Sequence, residues 1–372
     1  MGNPQSSAQA AAVSAKRVRF LPRLESLRGL AAVSVVGYHM HDELSALAPF
    51  DGLDRFANKF FAAIANGTGA VVTFFVLSGF VLARSLEANP NPLRFVRNRV
   101  VRLYPAAIAV VLLLTLLHWR FGLYVGYEAS FDPLQVVLNL MMIRTEINGV
   151  MWSMTIECVA TPLIWLSVWL YCKQGDRPLW WIIAVLFGLS FWGRYVHMLG
   201  GFTNLAPFYA FTVGVLIHFR GADLVARLGE RFARPAGIVA IVLYCIGGAN
   251  KQTALILALE CASAATLIAL IAWREQEALF RPLDWKLVRF YGRISYSFYL
   301  LHPLGMLTAE RAINAQALYD AGVPVSVTLA FMTLAAVLFT TPAAWLTWRL
   351  VETPAIRLGR TLDKPSAVLA GR

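Results

Sequence analysis

Charge is scarce in this chain. Only 15% of its 372 residues are Asp, Glu, Lys or Arg, against 58% hydrophobic residues and a mean hydropathy of +0.60. That balance excludes an ordinary soluble globular domain. Cysteine is scarcer still. Cys158, Cys172, Cys245 and Cys261 stand in or at the ends of apolar runs without CxxC spacing, which argues against a disulfide framework and a zinc site. The chain has no GxSxG elbow, Walker A loop, HExxH pair or dinucleotide-binding glycine pattern, so most hydrolase, ATPase and dehydrogenase chemistry is set aside. Internal repeats and low-complexity tracts are missing too. The opening MGNPQSSAQAAAVSA lacks the apolar core of a signal peptide.

What the chain has in quantity is spanning-length apolar runs. Ten are read, at roughly 24–42, 69–86, 103–121, 150–172, 178–196, 203–219, 235–249, 254–273, 293–312 and 326–349. The expected fold is therefore all-α, a polytopic membrane protein with about ten transmembrane helices. An even number puts both termini on one side. Of the 33 Lys and Arg, 26 fall in the tails and loops of that side and seven on the other, which makes both termini cytoplasmic. The same bias accounts for the net charge of +12 without any nucleic-acid partner. The partner it implies is the anionic face of a lipid bilayer. Expected divisions are a flexible cytoplasmic tail over 1–20, one transmembrane domain over 21–357 and a cytoplasmic tail over 358–372. The outer loop 122–149 contains PLQVVLNLMMI, which either lies in the interface or dips toward the membrane interior.

Ionisable residues inside apolar spans are costly and mark functional sites by default. Arg28 and His39 bracket GLAAVSVVGY in the first span. Eleven residues make about three helical turns, so both side chains share a face about 16 Å apart along the axis. Asp42 and Glu43 follow His39 at i+3 and i+4, where a carboxylate can orient the imidazole. RFVRNRVVRLYP places Arg99 and Arg102 on one face ahead of the third span, at a depth like that of Arg28. Guanidinium forks suit phosphate, although such arginines also serve as plain membrane anchors. In WSMTIE, Trp152 opens the fourth span, and Ser153 and Glu157 share a face. Glu157 is expected at the depth of His39, paired with it or with an arginine. Ser78 and Gly79 in FFVLSGF read as close helix packing or a narrow passage. In ISYSFYLLHP, Ser295, Tyr299 and His302 share a face, and Pro303 frees the carbonyl of Tyr299. Glu352, after the last span, can meet the cytoplasmic arginines.

An inner arginine mouth and an outer histidine layer suit a long phosphorylated donor with a reactive far end. Acyl-coenzyme A has that shape, and a histidine can take the proton of an acceptor hydroxyl attacking its thioester. Trp152 can stack on a sugar ring. The rival class is a proton-coupled transporter of an anionic or lipid-linked substrate, since buried His and Glu also make proton relays.

These motifs, in this order, resemble the acyltransferase-3 family of bacterial integral-membrane acyltransferases. The matching residues are Arg28 and His39 with ten residues between, the FFxxSG segment Phe74 to Gly79, and the RxxR pair Arg99 and Arg102. They continue with the WSxxxE segment Trp152 to Glu157, the SYxxYLxH segment Ser295 to His302, and Glu352. The resemblance covers about residues 20–357. It implies a ten-helix core in a bacterial inner membrane. It also implies O-acylation, acetylation in the first instance, of envelope polysaccharides, lipids or exported metabolites with cytosolic acyl-CoA (acetyl-CoA) as donor and no metal. Arg28, Arg99, Arg102, Ser78 and Gly79 are then the donor-binding residues. His39 is the catalytic base supported by Glu157, and Trp152, Ser153, Tyr299 and His302 face the acceptor. No added SGNH domain is expected within these residues, so the acyl group goes to the acceptor directly or to a separate periplasmic protein.

Overall fold

The computed structural model describes residues 21–45, 52–125, 128–193 and 207–361. The expected tail over 1–20, most of the expected tail over 358–372 and the expected junction of the fifth and sixth spans at 194–206 lie outside the described residues. Among the described residues fourteen α-helices follow one another: α1 (Pro22–Leu44), α2 (Gly52–Ile64), α3 (Gly67–Ala88), α4 (Pro92–Phe121), α5 (Pro133–Leu140), α6 (Trp152–Gln174), α7 (Arg177–Gly193), α8 (Tyr209–Leu228), α9 (Glu230–Gly248), α10 (Ala254–Trp273), α11 (Lys286–Ala312), α12 (Ala315–Asp320), α13 (Val325–Thr347) and α14 (Thr353–Thr361). A π turn, Trp348–Glu352, joins the last two. Among the described residues there is no strand. The last helix runs to Thr361, into the stretch expected to be tail.

Each of the ten expected spans coincides with a long helix. Among the described residues, seven helical stretches are apolar and long enough to cross a bilayer. The remaining three are instructive. Helix α7 has only 17 residues. Helices α1 and α11 are long but charged, with Arg23, Glu25, Arg28, Asp42 and Glu43 on one, and Lys286, Arg289, Arg293, Glu310 and Arg311 on the other. These two helices pack on each other and on α13. Helix ends are set by local chemistry: Asn66 and Asn91 cap α3 and α4 by accepting from Gly69 N and Arg94 N, and Gly122 closes α4 in the left-handed region at φ 65°.

Two apolar cores form. One gathers Phe75 and Phe80 of α3, Ile164 of α6, Phe211 of α8 and Ile268 of α10. The other gathers Val36 and Met40 of α1, Val111 of α4, Phe298 of α11 and Met332 of α13. Leu112, Leu116, Val242, Leu334 and Leu338 point outward, as lipid-facing side chains should.

Lipid tails are as apolar as the helices, so close packing rather than water expulsion holds a membrane bundle together. Glycine supplies it at two crossings. A Cβ on Gly79 of α3 would stand 2.0 Å from the carbonyl oxygen of Phe211, and one on Gly214 of α8 would stand 2.1 Å from that of Val76. A Cβ on Gly29 of α1 would come within 2.4 Å of Gly292 N on α11. Of the two roles weighed for Gly79, packing is the one the geometry supports, because the backbone of α8 fills the space a passage would need.

The outer loop dips inward. After α5 the chain passes through Met142 (φ 55°), Thr145, Ile147 and Asn148, the last three at most 2% exposed. Asn148 Nδ2 donates to Leu300 O (2.9 Å), and Thr155 Oγ1 donates to Met142 O (2.9 Å). Irregular backbone at such a place is tolerated because protein surrounds it. At the opposite, charged end, Arg23 of α1 grips Asp284 with Nε and Nη2, the latter at 2.6 Å, tying α1 to the turn before α11.

Two outcomes follow. Gly79→Ala must push α3 and α8 apart and lower the unfolding temperature in detergent, at an overpacking cost of about 1–3 kcal/mol. The Arg23 guanidinium holds the Asp284 carboxyl below its ordinary range, with Arg289 adding to the effect. Because the folded-state pKa is the lower one, this pair stabilises the protein above pH 4 or so and ceases to as pH falls through the depressed value. Thermal unfolding of Asp284→Asn at neutral pH should start lower than wild type and lose less on acidification.

Candidate active site

Helix α1 carries both ends of the site. Near its charged end, Arg28 shares an electrostatic neighbourhood with Arg102 of α4, Arg99, Glu157 and Glu352. Glu25, one turn before Arg28, adds Arg293 of α11 to the set. Four arginines and three glutamates therefore meet where α1, α4, α6, α11 and the π turn converge.

Their partnerships are unequal. Arg99 Nη1 lies 2.9 Å from Glu157 Oε1, and its Nη2 donates to Glu157 O (3.3 Å). Ser78 Oγ of α3 donates to the same carboxylate oxygen at 2.8 Å. Arg99 is 6% exposed. Glu352, also buried, accepts from Ser297 Oγ at 2.7 Å. Among the described residues, neither Arg28 nor Arg102 shows a hydrogen bond, and the largest electrostatic influence on Arg102 is the like charge of Arg28. Two guanidinium groups within electrostatic reach of each other, with no hydrogen bond to either among the described residues, have the chemistry that suits an anion.

Glu157 thus pairs with an arginine, one of its two expected partners, and lies level with Ser78 near the middle of α3 instead of pairing with His39. The cause is the inward dip of the preceding loop: α6 starts among buried residues, not at the outer surface, so its first turns lie deeper than a surface start allows. Trp152, expected to stack on an acceptor, rests edge-on against Phe75 with ring centres 6.4 Å apart. Ser153 Oγ and the Tyr299 hydroxyl are 2.9 Å apart, and both bond to Val150 O.

His39, near the other end of α1, has His302 of α11 as its ring neighbour: the centroids are 5.5 Å apart and the planes 22° from parallel. Tyr38 meets the His39 ring edge-on at 5.4 Å, and Tyr299 lies 5.5 Å from the ring of His302. His39 is half-buried, and His302 is fully buried. Of the residues expected from sequence, Arg28, Arg99, Arg102, Ser78 and Glu157 gather in one layer, and His39, His302, Tyr299 and Ser153 in another. Glu25, Arg293 and Ser297 belong with the first layer and escaped the sequence reading. Glu25 stands at i−3 from Arg28, Arg293 stands two residues before the SYxxY segment and Ser297 lies within it, which are the signals that could have marked them.

The Arg99–Glu157 pair makes a sharp prediction. Arg99→Ala strands a buried carboxylate and should cost about 3–5 kcal/mol, whereas Arg99→Ala with Glu157→Gln should recover much of it. Thermal unfolding of the two variants in detergent separates the cases.

The chain is similar to known acyltransferases. A family model described as an acyltransferase domain matches residues 21–349. Acyltransferase MdmB of Streptomyces mycarofaciens is 25% identical over 373 aligned positions, covering 92% of this chain and 93% of its own. No solved structure matches the chain. With its polytopic helical fold and this match over nearly its whole length, the chain belongs to the acyltransferase-3 family of membrane acyltransferases, enzymes that transfer acyl groups.

Proposed function

We propose that the protein moves an acyl group, acetyl in the simplest case, from cytosolic acyl-coenzyme A to a hydroxyl of an envelope carbohydrate, lipid or exported metabolite. One observation carries this reading. A single helix bears, at one end, an arginine that shows no hydrogen bond among the described residues and, at the other, a half-buried histidine stacked on a buried one. The coenzyme's phosphates suit Arg28 and Arg102. Arg99, spent on Glu157, holds the frame in which Arg102 stands instead of gripping the donor itself. The thioester then extends toward the histidine layer, where an imidazole takes the proton of the attacking hydroxyl. Near-parallel rings from two helices supply that layer, and the hydroxyls of Tyr299 and Ser153 line its approach. The charge bias of the loops supports a cytoplasmic source for the donor and a bacterial cytoplasmic membrane as the location.

Binding and turnover should separate at the two ends. Arg28→Ala or Arg102→Ala should weaken coenzyme A binding about 10- to 100-fold, as expected for the loss of charge-assisted bonds worth about 1.5–3 kcal/mol. His39→Ala should leave that affinity intact while acyl transfer falls about 100-fold or more. Equilibrium binding of coenzyme A to the purified protein, with mass spectrometry of envelope glycans and lipids in cells with and without it, reads both quantities. Transfer that survives His39→Ala, or donor affinity indifferent to Arg28, contradicts the proposal.

A further inference from the structure

Pro303 sits within α11 and has no N–H, so the carbonyl of Tyr299, four residues earlier, loses its helical donor. The side chain of His302 replaces it: Nδ1 lies 2.6 Å from Tyr299 O. A carbonyl oxygen only accepts, so Nδ1 carries the hydrogen and Nε2 keeps the lone pair. That nitrogen is buried without a partner, on a residue with no exposed surface. The ring lies beside that of His39. Nothing comparable fixes His39, which shows no hydrogen bond among the described residues.

We infer that His302, through Nε2, is the catalytic base of the transfer, and that His39 works beside it as a donor. The inference rests on the acyl-coenzyme A reading above. A base needs a lone pair held in place, and the proline-freed carbonyl holds this one. The carbonyl cannot remove the Nδ1 proton, so the ring is restricted to gaining and returning a single proton at Nε2. The acceptor's hydroxyl proton passes to Nε2 as its oxygen bonds to the thioester carbon. The carbon–sulfur bond then breaks, the thiolate leaves with the electron pair, and His302 returns the proton to sulfur. No proton or electron is left over. His39, free to present an N–H, faces the oxyanion of the tetrahedral intermediate. Pro303 is a positioning residue: it acts by leaving the Tyr299 carbonyl for His302.

The test combines a tautomer measurement with turnover. Nitrogen-15 spectra of histidine-labelled protein in liposomes, assigned by difference against His302→Gln, should show Nε2 of His302 unprotonated and Nδ1 protonated at neutral pH. The signal is read in the wild-type chain, and Pro303→Ala, which should move the same resonance, supplies a second assignment if His302→Gln folds poorly. Thiol release from acetyl-coenzyme A, with water as acceptor, should fall about 100-fold in His302→Gln with coenzyme A affinity unchanged. Pro303→Ala gives Tyr299 O a backbone donor again. It should mix the His302 tautomers in the same spectra and slow release several-fold at unchanged affinity. A protonated Nε2 in wild type, or His302→Gln within threefold of the wild-type rate, overturns the inference and leaves the donor reading standing. A wild type that releases no thiol removes the donor reading and the base role together.

Discussion

A carboxylate in the middle of a membrane protein must be answered by a charge, and Arg99 answers Glu157. Around that requirement the rest of the structure is arranged. The pair, with Ser78 as third member, fixes α3, α4 and α6 to one another in both register and depth. It holds the first turns of α6 below the dipping loop that ends at Met151, and so decides which residues reach Tyr299. It places Arg102, one turn further along α4, against Arg28. Removing water from both charges is expensive, and such pairs more often secure one arrangement than add net stability.

The contrast within the arginine layer carries the functional meaning. Arg99 and Glu352 have hydrogen-bonded partners, whereas Arg28 and Arg102 show none among the described residues and interact with Glu25, Glu157 and Glu352 only through space. The histidine layer shows the same economy: one ring is tethered through Nδ1, and its neighbour is left able to adapt. Glycine crossings at Gly29 and Gly79 make both layers possible by bringing backbones close enough for side chains on different helices to meet.

Much of this was legible in the sequence. Ten spans could be read because an apolar run of about twenty residues has few other uses, and the shared face of Arg28 and His39 follows from helical rise alone. The freed carbonyl of Tyr299 could be read from Pro303. What resisted was everything set by the registration of one helix against another. Glu157 was expected near His39 because α6 was taken to begin at the membrane surface, and only the inward course of Ile147 and Asn148 shows otherwise. The use of the Tyr299 carbonyl by the adjacent histidine depends on a rotamer, which no spacing rule supplies. Ser297 needed the π turn to bring Glu352 to it.

Ser153 of α6 and Tyr299 of α11 share a hydrogen bond between helices that contribute to different apolar cores. Prising either core open leaves voids that nothing refills, so each behaves as a stiff body. By contrast, a hydrogen bond given up by Ser78, Ser153 or Tyr299 can be exchanged for one offered by a passing molecule. Rearrangement therefore costs less at these exchangeable polar contacts than within either tightly packed core.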